Sequence, residues 1–316
     1  MASLCNSVIF VFFSYWMSTL SQGIFDDDNH ECARRCSDER SSRKTCVYNF
    51  FVTETYEASS FCNESEDKAE ISNCANYTTR RKRLAINGRS PGPAIQVCLD
   101  DTIEVVVHNK LGSDELAVHW HGIRQKGFNH MDGVPMITQC PILPFSGFRY
   151  KISPESAGTH FYHAHSVSQQ GDGVYGSLTV RGPQDDPSLE RILVLSSRSP
   201  TPLTGRSRLH PPTPGELLVN GQTRELTLRV KHGLRYLLRL VNANAHDCPV
   251  LLSLHGHSLR VSAADGNPVK SMTGTHVVLF PETVKWCDIK ETPASDSKSS
   301  VADHHASVAR ACQIVS

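Results

Sequence analysis

The sequence predicts an all-β protein built from sandwich or barrel domains. Short runs rich in β-branched and aromatic residues recur along the chain, for example at residues 103–108 and 174–180. Turn residues separate these runs, among them Pro91-Gly92-Pro93 and Asp132-Gly133. No segment sustains the 3.6-residue apolar period of an amphipathic helix. Short strands at fairly regular spacing therefore favour a sandwich or barrel.

Length and composition fit a globular protein of about two domains. The chain has 316 residues, of which 39% are hydrophobic and 20% are charged. This composition is sufficient for a buried core and excludes a wholly disordered chain. The 32 Lys and Arg residues balance the 32 Asp and Glu residues. Because the chain has no excess of positive charge, we expect no nucleic-acid partner.

Residues 1–23 have the pattern of a secretory signal peptide. An apolar run at residues 8–17 is followed by the small residues Ser21 and Gly23 around a possible cleavage site. The run is shorter than the roughly 20 apolar residues that span a bilayer. No basic residue precedes the run, which is unusual for a signal peptide. The alternative interpretation of this segment is a membrane anchor. We expect a secreted, extracellular protein that has no membrane contact after cleavage.

Residues 24–80 read as a charged, cysteine-rich extension. Five cysteines fall within it: Cys32, Cys36, Cys46, Cys62 and Cys74. The glycosylation sequons that begin at Asn63 and Asn76 lie among them. Clustered cysteines with such sequons favour disulfides in an oxidising compartment, with a zinc knuckle as the alternative. The sequence does not define the pairing of these cysteines.

The remaining elements are predicted in chain order. We expect a first β domain at 81–183, a second at 184–285 and a disordered tail at 286–316. Strands are predicted at residues 103–108, 148–152 and 174–180, and then at 225–230, 236–241 and 250–254. Residues 182–215, rich in Pro, Ser and Arg, have the composition of a linker.

Two His-x-His motifs predict a metal site. In a strand, alternate residues share one face, so His119 and His121 point one way while Trp120 points into the packing. His163 and His165 repeat this pattern. Two such strands side by side would bring four imidazoles together, and a metal would bind their neutral lone pairs. Imidazole suits copper, zinc, iron and nickel, and the Irving–Williams order favours copper.

Two other histidine pairs receive a different interpretation. His255 and His257 are separated by glycine, which weakens the strand pattern, and we interpret them as structural. His304 and His305 lie in the polar tail, where we expect solvated side chains.

The ordered run of motifs resembles a laccase-type multicopper oxidase over residues 30–280 or so. The matching segments are Asn87-Gly88-Arg89-Ser90-Pro91-Gly92-Pro93, His119-Trp120-His121-Gly122, Met131-Asp132-Gly133-Val134-Pro135, Thr138-Gln139-Cys140-Pro141-Ile142 and Gly158-Thr159-His160-Phe161-Tyr162-His163-Ala164-His165. The block from Cys32 to Cys36 is similar to that of arthropod members. The resemblance implies cupredoxin-like Greek-key β-sandwich domains, the first complete and the second truncated.

The resemblance also implies roles for individual residues. His119 would bind a type 2 copper, His121 and His163 one type 3 copper, and His165 the other. Asp132 matches the family's outer carboxylate, which orients water and histidines at the cluster and helps to supply protons. Cys140 and Cys248 match a pair that forms a disulfide between the first two domains. The implied reaction oxidises a phenolic small molecule and reduces O2 to water.

The sequence departs from the family in what it lacks. Family members carry a third domain with a His-Cys-His motif, and these 316 residues contain no Cys-His dipeptide. We therefore expect half of the trinuclear copper site and no type 1 copper. The alternative to a laccase-like oxidoreductase is an inactive secreted protein that binds copper or a partner. A zinc hydratase or hydrolase that uses three of the histidines is a further possibility.

Overall fold

The computed structural model describes residues 30–37, 43–57, 81–199, 202–204, 215–223, 226–231, 233–245, 249–254 and 257–290, together with the backbone of 301–310. The expected signal peptide, both sequons, Cys62 and Cys74 lie outside these residues. In the described part of the chain, no helix is long and apolar enough to cross a membrane.

The first sandwich consists of two four-stranded sheets. Its strands are β1 Thr45–Glu57, β2 Arg81–Ile86, β3 Ile95–Cys98, β4 Thr102–Asn109, β5 Val118–His121, β6 Gly147–Ile152, β7 Gly158–Ala164 and β8 Tyr175–Arg181. One sheet has the order β2-β1-β4-β6 and the other the order β3-β8-β7-β5. A short helix, α1 Val167–Asp172, follows β7.

Alternating side chains form the core of this sandwich. In β4 every second residue is buried, so Ile103, Val105 and Val107 pack between the sheets. This is the period that one face of a half-buried strand requires. Trp120 is completely buried, and its ring lies 5.2 Å from that of Tyr150. The predicted inward direction of Trp120 is confirmed.

The second sandwich pairs a six-stranded sheet with a four-stranded sheet. Its strands are β9 Glu190–Arg198, β10 Glu216–Val219, β11 Leu226–Lys231, β12 Arg235–Asn242, β13 Val250–Leu254, β14 Leu259–Ala264, β15 Asn267–Gly274, β16 His276–Leu279, β17 Val284–Lys290 and β18 Val301–Arg310. The sheets have the orders β10-β9-β12-β17-β14-β15 and β11-β18-β13-β16. A separate apolar core lies between them.

The structure differs from three sequence-based expectations. The expected extension contains β1, which pairs in parallel with β4 and buries Tyr48 and Phe50 in the first core. The expected linker contains β9, which pairs with both β10 and β12. The expected disordered tail contributes β18, which lies between β11 and β13. In each case the strand pairs with strands that are distant in sequence. Local composition does not reveal such long-range pairing.

Two disulfides attach the cysteine-rich segment to the first sandwich. Cys32 bonds to Cys46 at the start of β1, and Cys36 bonds to Cys98 at the end of β3. Four cysteines are therefore paired, in agreement with the disulfide interpretation of this segment.

Candidate metal centre

The four predicted histidines lie on two paired strands at one edge of a sheet. His119 on β5 lies directly opposite His163 on β7 in the antiparallel register. Alternation along β5 places His121 on the same face as His119, while Val118 and Trp120 face the core. His165 follows the end of β7, where its backbone N–H donates to the carbonyl of Ala117 at 2.9 Å.

The side chains converge as the sequence predicts. The ring centroids are separated by 5.4 Å for His119–His163, 5.6 Å for His119–His121, 5.6 Å for His119–His165, 5.7 Å for His121–His163 and 6.4 Å for His163–His165. One nitrogen from each of His119, His121 and His163 lies within 4.8 Å of the other two. Because β5 is an edge strand, the cluster opens at the side of the sheet, where His165 is exposed.

The Asp132 loop positions His119. The backbone carbonyl of Asp132 lies 2.7 Å from His119 Nδ1, and a carboxylate oxygen of the same residue lies 3.5 Å from that nitrogen. A carbonyl can only accept, so Nδ1 donates its proton and the lone pair remains on Nε2. A hydrogen bond that fixes the tautomer in this way is typical of metal-binding histidines.

His163 is held in the same manner. Its Nδ1 lies 3.0 Å from the carbonyl of Ala164, so this nitrogen donates and Nε2 carries the lone pair. Nε2 is buried and has no hydrogen-bond partner among the described residues. A buried polar nitrogen without a partner is costly, and a metal ion is one way to satisfy it. The residues therefore fit a metal that imidazole binds.

Burial keeps the inner rings neutral. Burial, followed by the charges of His119, His121 and His165, lowers the pKa of His163 to about 3, although the Ala164 hydrogen bond acts in the opposite direction. Burial and the charge of His119 also lower the pKa of His121. Neutral imidazoles at neutral pH offer the lone pairs that a metal requires.

Gly133 brings the Asp132 loop against β5. Its φ is +82°, and a Cβ added there would lie 1.8 Å from the carbonyl oxygen of Val118. Only glycine permits this close approach, which places Asp132 beside His119. The sequence indicated an Asp-Gly turn but gave no sign of the contact with β5.

His160 is a buried histidine that sequence analysis did not single out. It belongs to β7 but lies outside the cluster, and its Nε2 has no hydrogen-bond partner among the described residues. Three glycines surround its ring: a Cβ added at Gly122, Gly158 or Gly266 would approach it to 2.7, 2.6 or 3.0 Å. Burial lowers its pKa to about 4, assisted by the charges of His121 and Arg239. No local sequence signal distinguishes this histidine from a ligand.

The remaining predicted residues lie elsewhere. Cys140 is a free, exposed thiol, so the structure does not contain the expected bond to Cys248. Cys248 and His255 lie outside the described residues, as do the side chains of His304 and His305. His257 does not belong to the histidine cluster of β5 and β7.

Comparisons with known proteins agree with this geometry. Two family models, both described as multicopper oxidase, match residues 69–185 and 184–282. Laccase-1 of Botryotinia fuckeliana is 34% identical over 217 residues, which cover 63% of this chain and 37% of that protein. The iron transport multicopper oxidase fetC of Epichloe festucae is 33% identical over 203 residues, covering 59% of this chain and 32% of that protein.

A solved structure shares the fold. The laccase from Botrytis aclada superposes with a TM-score of 0.66 at 28% identity, over 80% of this chain and 48% of that chain. The chain thus spans about a third of the length of the curated relatives and about half of this solved structure.

Proposed function

Because the chain belongs to the multicopper oxidase family, we propose that its four-histidine cluster is one half of a copper site in a laccase-like oxidoreductase. His119 would serve a type 2 copper, and His121, His163 and His165 would serve a type 3 pair. The remaining ligands would come from outside the residues described. The proposed substrates are a phenol or diphenol and O2.

One observation carries this proposal. Four imidazoles share a face of two paired strands, and in two of them, His119 and His163, a backbone carbonyl occupies Nδ1. The Nε2 lone pairs of these two rings are left available. Metal-binding histidines typically donate their other ring N–H in this way, which leaves Nε2 for the metal.

The chemistry divides between the metal and the protein. Copper bound by these histidines would supply the one-electron redox chemistry that couples phenol oxidation to O2 reduction. Asp132 holds the ring of His119 through its carbonyl. Its carboxylate is 30% exposed and lies 3.5 Å from His119 Nδ1. Reduction of O2 to two waters consumes four electrons and four protons, and in the proposed role this carboxylate would help to deliver the protons.

A second candidate follows from the ligand count. A blue type 1 copper needs a thiolate with two imidazoles, and the 316 residues contain no Cys-His dipeptide. We propose that these residues by themselves bind copper but do not oxidise phenols. They would then act as an oxidase only when further ligands are supplied, or as a copper-binding protein without turnover.

Metal analysis combined with oxygen consumption distinguishes the candidates. The purified chain is dialysed against equal concentrations of Cu(II) and Zn(II), its metal content is measured, and O2 uptake is followed with a diphenol. Bound copper without O2 uptake supports the proposal for this chain alone, and copper with O2 uptake supports a complete oxidase. Stoichiometric zinc with ester hydrolysis, or the absence of any bound metal, would contradict the copper assignment.

We also propose that the protein is secreted. The two disulfides of the cysteine-rich segment support an oxidising compartment. Expression in a secreting eukaryotic host, followed by N-terminal sequencing of the medium protein, is expected to show cleavage near residue 23. Retention of the uncleaved chain in the membrane fraction would favour the anchor.

A further inference from the structure

A pocket lies where the two sandwiches meet, and the proposed function does not use it. Its volume is about 260 Å³, and its lining includes residues from β2 and from the start of β8 in the first sandwich. Residues from β9 and β10 of the second sandwich complete the described lining. Junctions between domains are a common place for small-molecule sites, and this volume lies just below the range of about 300–1,000 Å³ typical of drug-sized ligands.

Three arginines from three different elements line this pocket. Arg83 lies on β2, Arg89 lies in the turn after β2, and Arg198 lies at the end of β9. The side chain of Arg83 is only 7% exposed, and one of its nitrogens donates to the carbonyl of Ser199 at 2.7 Å. Guanidinium groups remain charged at all physiological pH values, and their planar donors match carboxylates and phosphates.

The lining contains less negative than positive charge. Asp172, at the end of α1, is the one carboxylate in the described lining, and it lies 3.9 Å from Arg83. Its oxygens accept hydrogen bonds from the backbone of Leu203 and Thr204 and from the Thr204 hydroxyl, at 2.7 to 2.9 Å. Asp172 therefore serves mainly to attach the chain that enters the second sandwich. Glu216, whose side chain is 54% exposed, lies 3.9 Å from Arg198.

Buried hydroxyl groups accompany the arginines. Ser197 lines the pocket, is 8% exposed, and its Oγ has no hydrogen-bond partner among the described residues. Tyr175 is buried and donates to the hydroxyl of Ser196 at 2.8 Å. Burial raises the pKa of Tyr175, while hydrogen bonds with Ser196 and Ser90 and then the charges of Arg198 and Arg83 act in the opposite direction. A buried hydroxyl without a partner, in a pocket that three arginines also line, can donate to an anionic acceptor.

We propose that this pocket binds a small organic or inorganic dianion through carboxylate or phosphate oxygens. The arginines would bind its charged groups from both sandwiches, and the Ser197 hydroxyl would donate to it. A ligand held in this way would also link the two domains.

Isothermal titration of the copper-free chain tests this proposal with two probes, succinate and inorganic phosphate. We expect saturable binding of at least one probe, weakened by added NaCl because salt screens the attraction. Binding of succinate alone would assign a dicarboxylate, and binding of phosphate alone would assign a phosphate group. Because the titration uses the copper-free chain, its result is independent of the proposed oxidase function.

Substitutions locate the binding. Arg89→Gln is the main variant, because backbone hydrogen bonds between Arg89 and Ile86 hold this turn. Arg198→Gln is the second. Each substitution is expected to lower the affinity for the anion about tenfold or more, since one charge-assisted hydrogen bond is lost. Arg149→Gln is the matched control, because Arg149 is an exposed arginine of β6 that pairs with Glu104 of β4.

Two results would overturn the proposal. One is the absence of saturable binding of either probe at millimolar concentration. The other is equal weakening in Arg149→Gln, which would mean non-specific attraction to a positive surface. Circular dichroism of each variant verifies its fold before titration, and Ser197→Ala replaces any arginine variant that fails to fold, with the same expected direction.

Discussion

At the scale of single residues, the histidine cluster depends on a glycine that carries no chemistry of its own. Gly133 lets the Asp132 loop approach β5, and Asp132 in turn orients His119. A side chain at residue 133 would meet the backbone of Val118 and would also have to adopt a positive φ.

We predict that Gly133→Ala lowers the free energy of unfolding by about 2–4 kcal/mol, since backbone strain and a steric overlap combine. Urea unfolding measures the change. Gly127→Ala is the matched control, because Gly127 has a similar φ of +75° but no atom within 4 Å of the added Cβ. The control is expected to lose only about 1–2 kcal/mol. Equal losses in the two variants would disprove the close approach.

Asp101 is a second residue on which a local structure depends. Its side chain is fully buried and accepts two hydrogen bonds from Arg34, at 2.7 and 2.8 Å. The backbone amides of Lys44 and Cys98 also donate to it, at 2.8 and 2.9 Å. Burial raises the pKa of Asp101, but these hydrogen bonds and the Arg34 charge outweigh burial. The folded-state pKa is therefore below the ordinary value of 3.8.

A lowered carboxyl pKa has a defined effect on stability. The charged form is favoured by folding, so its contribution is complete above about pH 4 and is lost as the pH falls through the folded-state pKa. We predict that Asp101→Asn lowers the free energy of unfolding by about 1–3 kcal/mol at neutral pH. The same variant should reduce the loss of stability on acidification.

Urea unfolding at pH 6 and pH 3 measures both effects of Asp101→Asn. The neighbouring Asp100→Asn provides the control, because the Asp100 side chain is 55% exposed and pairs only with exposed Arg43 in the contacts described. An acid dependence of Asp101→Asn identical to that of the unsubstituted chain would refute the role given to this carboxylate.

At the scale of elements, the two disulfides hold β1 and β3 to residues 30–37, which precede β1. Cys32–Cys46 closes a sequence separation of 14 residues and Cys36–Cys98 one of 62. In the chain-entropy view, a bond that closes a longer loop removes more freedom from the unfolded chain.

We predict that replacing the Cys36–Cys98 pair by serines costs about 4 kcal/mol, and replacing the Cys32–Cys46 pair about 3 kcal/mol. Denaturant unfolding of the two double variants under non-reducing conditions gives the comparison. A larger loss for Cys32–Cys46, or no loss for either pair, would contradict the entropic account.

The sequence predicted those elements whose pattern is local. Alternation in His119–His121 and His163–His165 was sufficient to place four rings on one face, because the period of a strand is invariant. It could not place β9, whose apolar run lies between Pro- and Ser-rich flanks. Nor could it place β18, whose polar residues read as a tail but which lies between β11 and β13. The positions of β9 and β18 depend on pairing with strands distant in sequence, and local composition does not predict that pairing.

At the scale of the whole molecule, buried charges join the two sandwiches. Arg239 on β12 is fully buried and donates to Thr159 of β7 and to Glu190 at the start of β9. Arg181 at the end of β8 donates to the other oxygen of Glu190 at 2.8 Å. Glu190 thus pairs with one guanidinium from each sandwich, while Asp185 lies 3.3 Å from Arg239, and these contacts fix how the domains meet.

We predict that Glu190→Gln lowers the free energy of unfolding by about 3–5 kcal/mol, because it leaves two buried guanidinium groups without their shared carboxylate. Glu31→Gln breaks the exposed pair with Lys44 and is expected to leave the free energy of unfolding nearly unchanged, because solvent screens this pair. Thermal and urea unfolding of both variants provide the measurement. A small effect of Glu190→Gln would mean that the junction does not depend on this charge network.

We propose that β5 and β7 together present their imidazoles to one copper site. The direct measurement is a competitive Cu(II) titration of the unsubstituted chain, His119→Gln and His163→Gln, with His276→Gln as an exposed histidine control. We predict that each cluster variant, one on β5 and one on β7, weakens copper binding by at least tenfold, while His276→Gln leaves it unchanged. Copper affinity that is unaffected by either cluster substitution, or lowered equally by His276→Gln, would contradict the account.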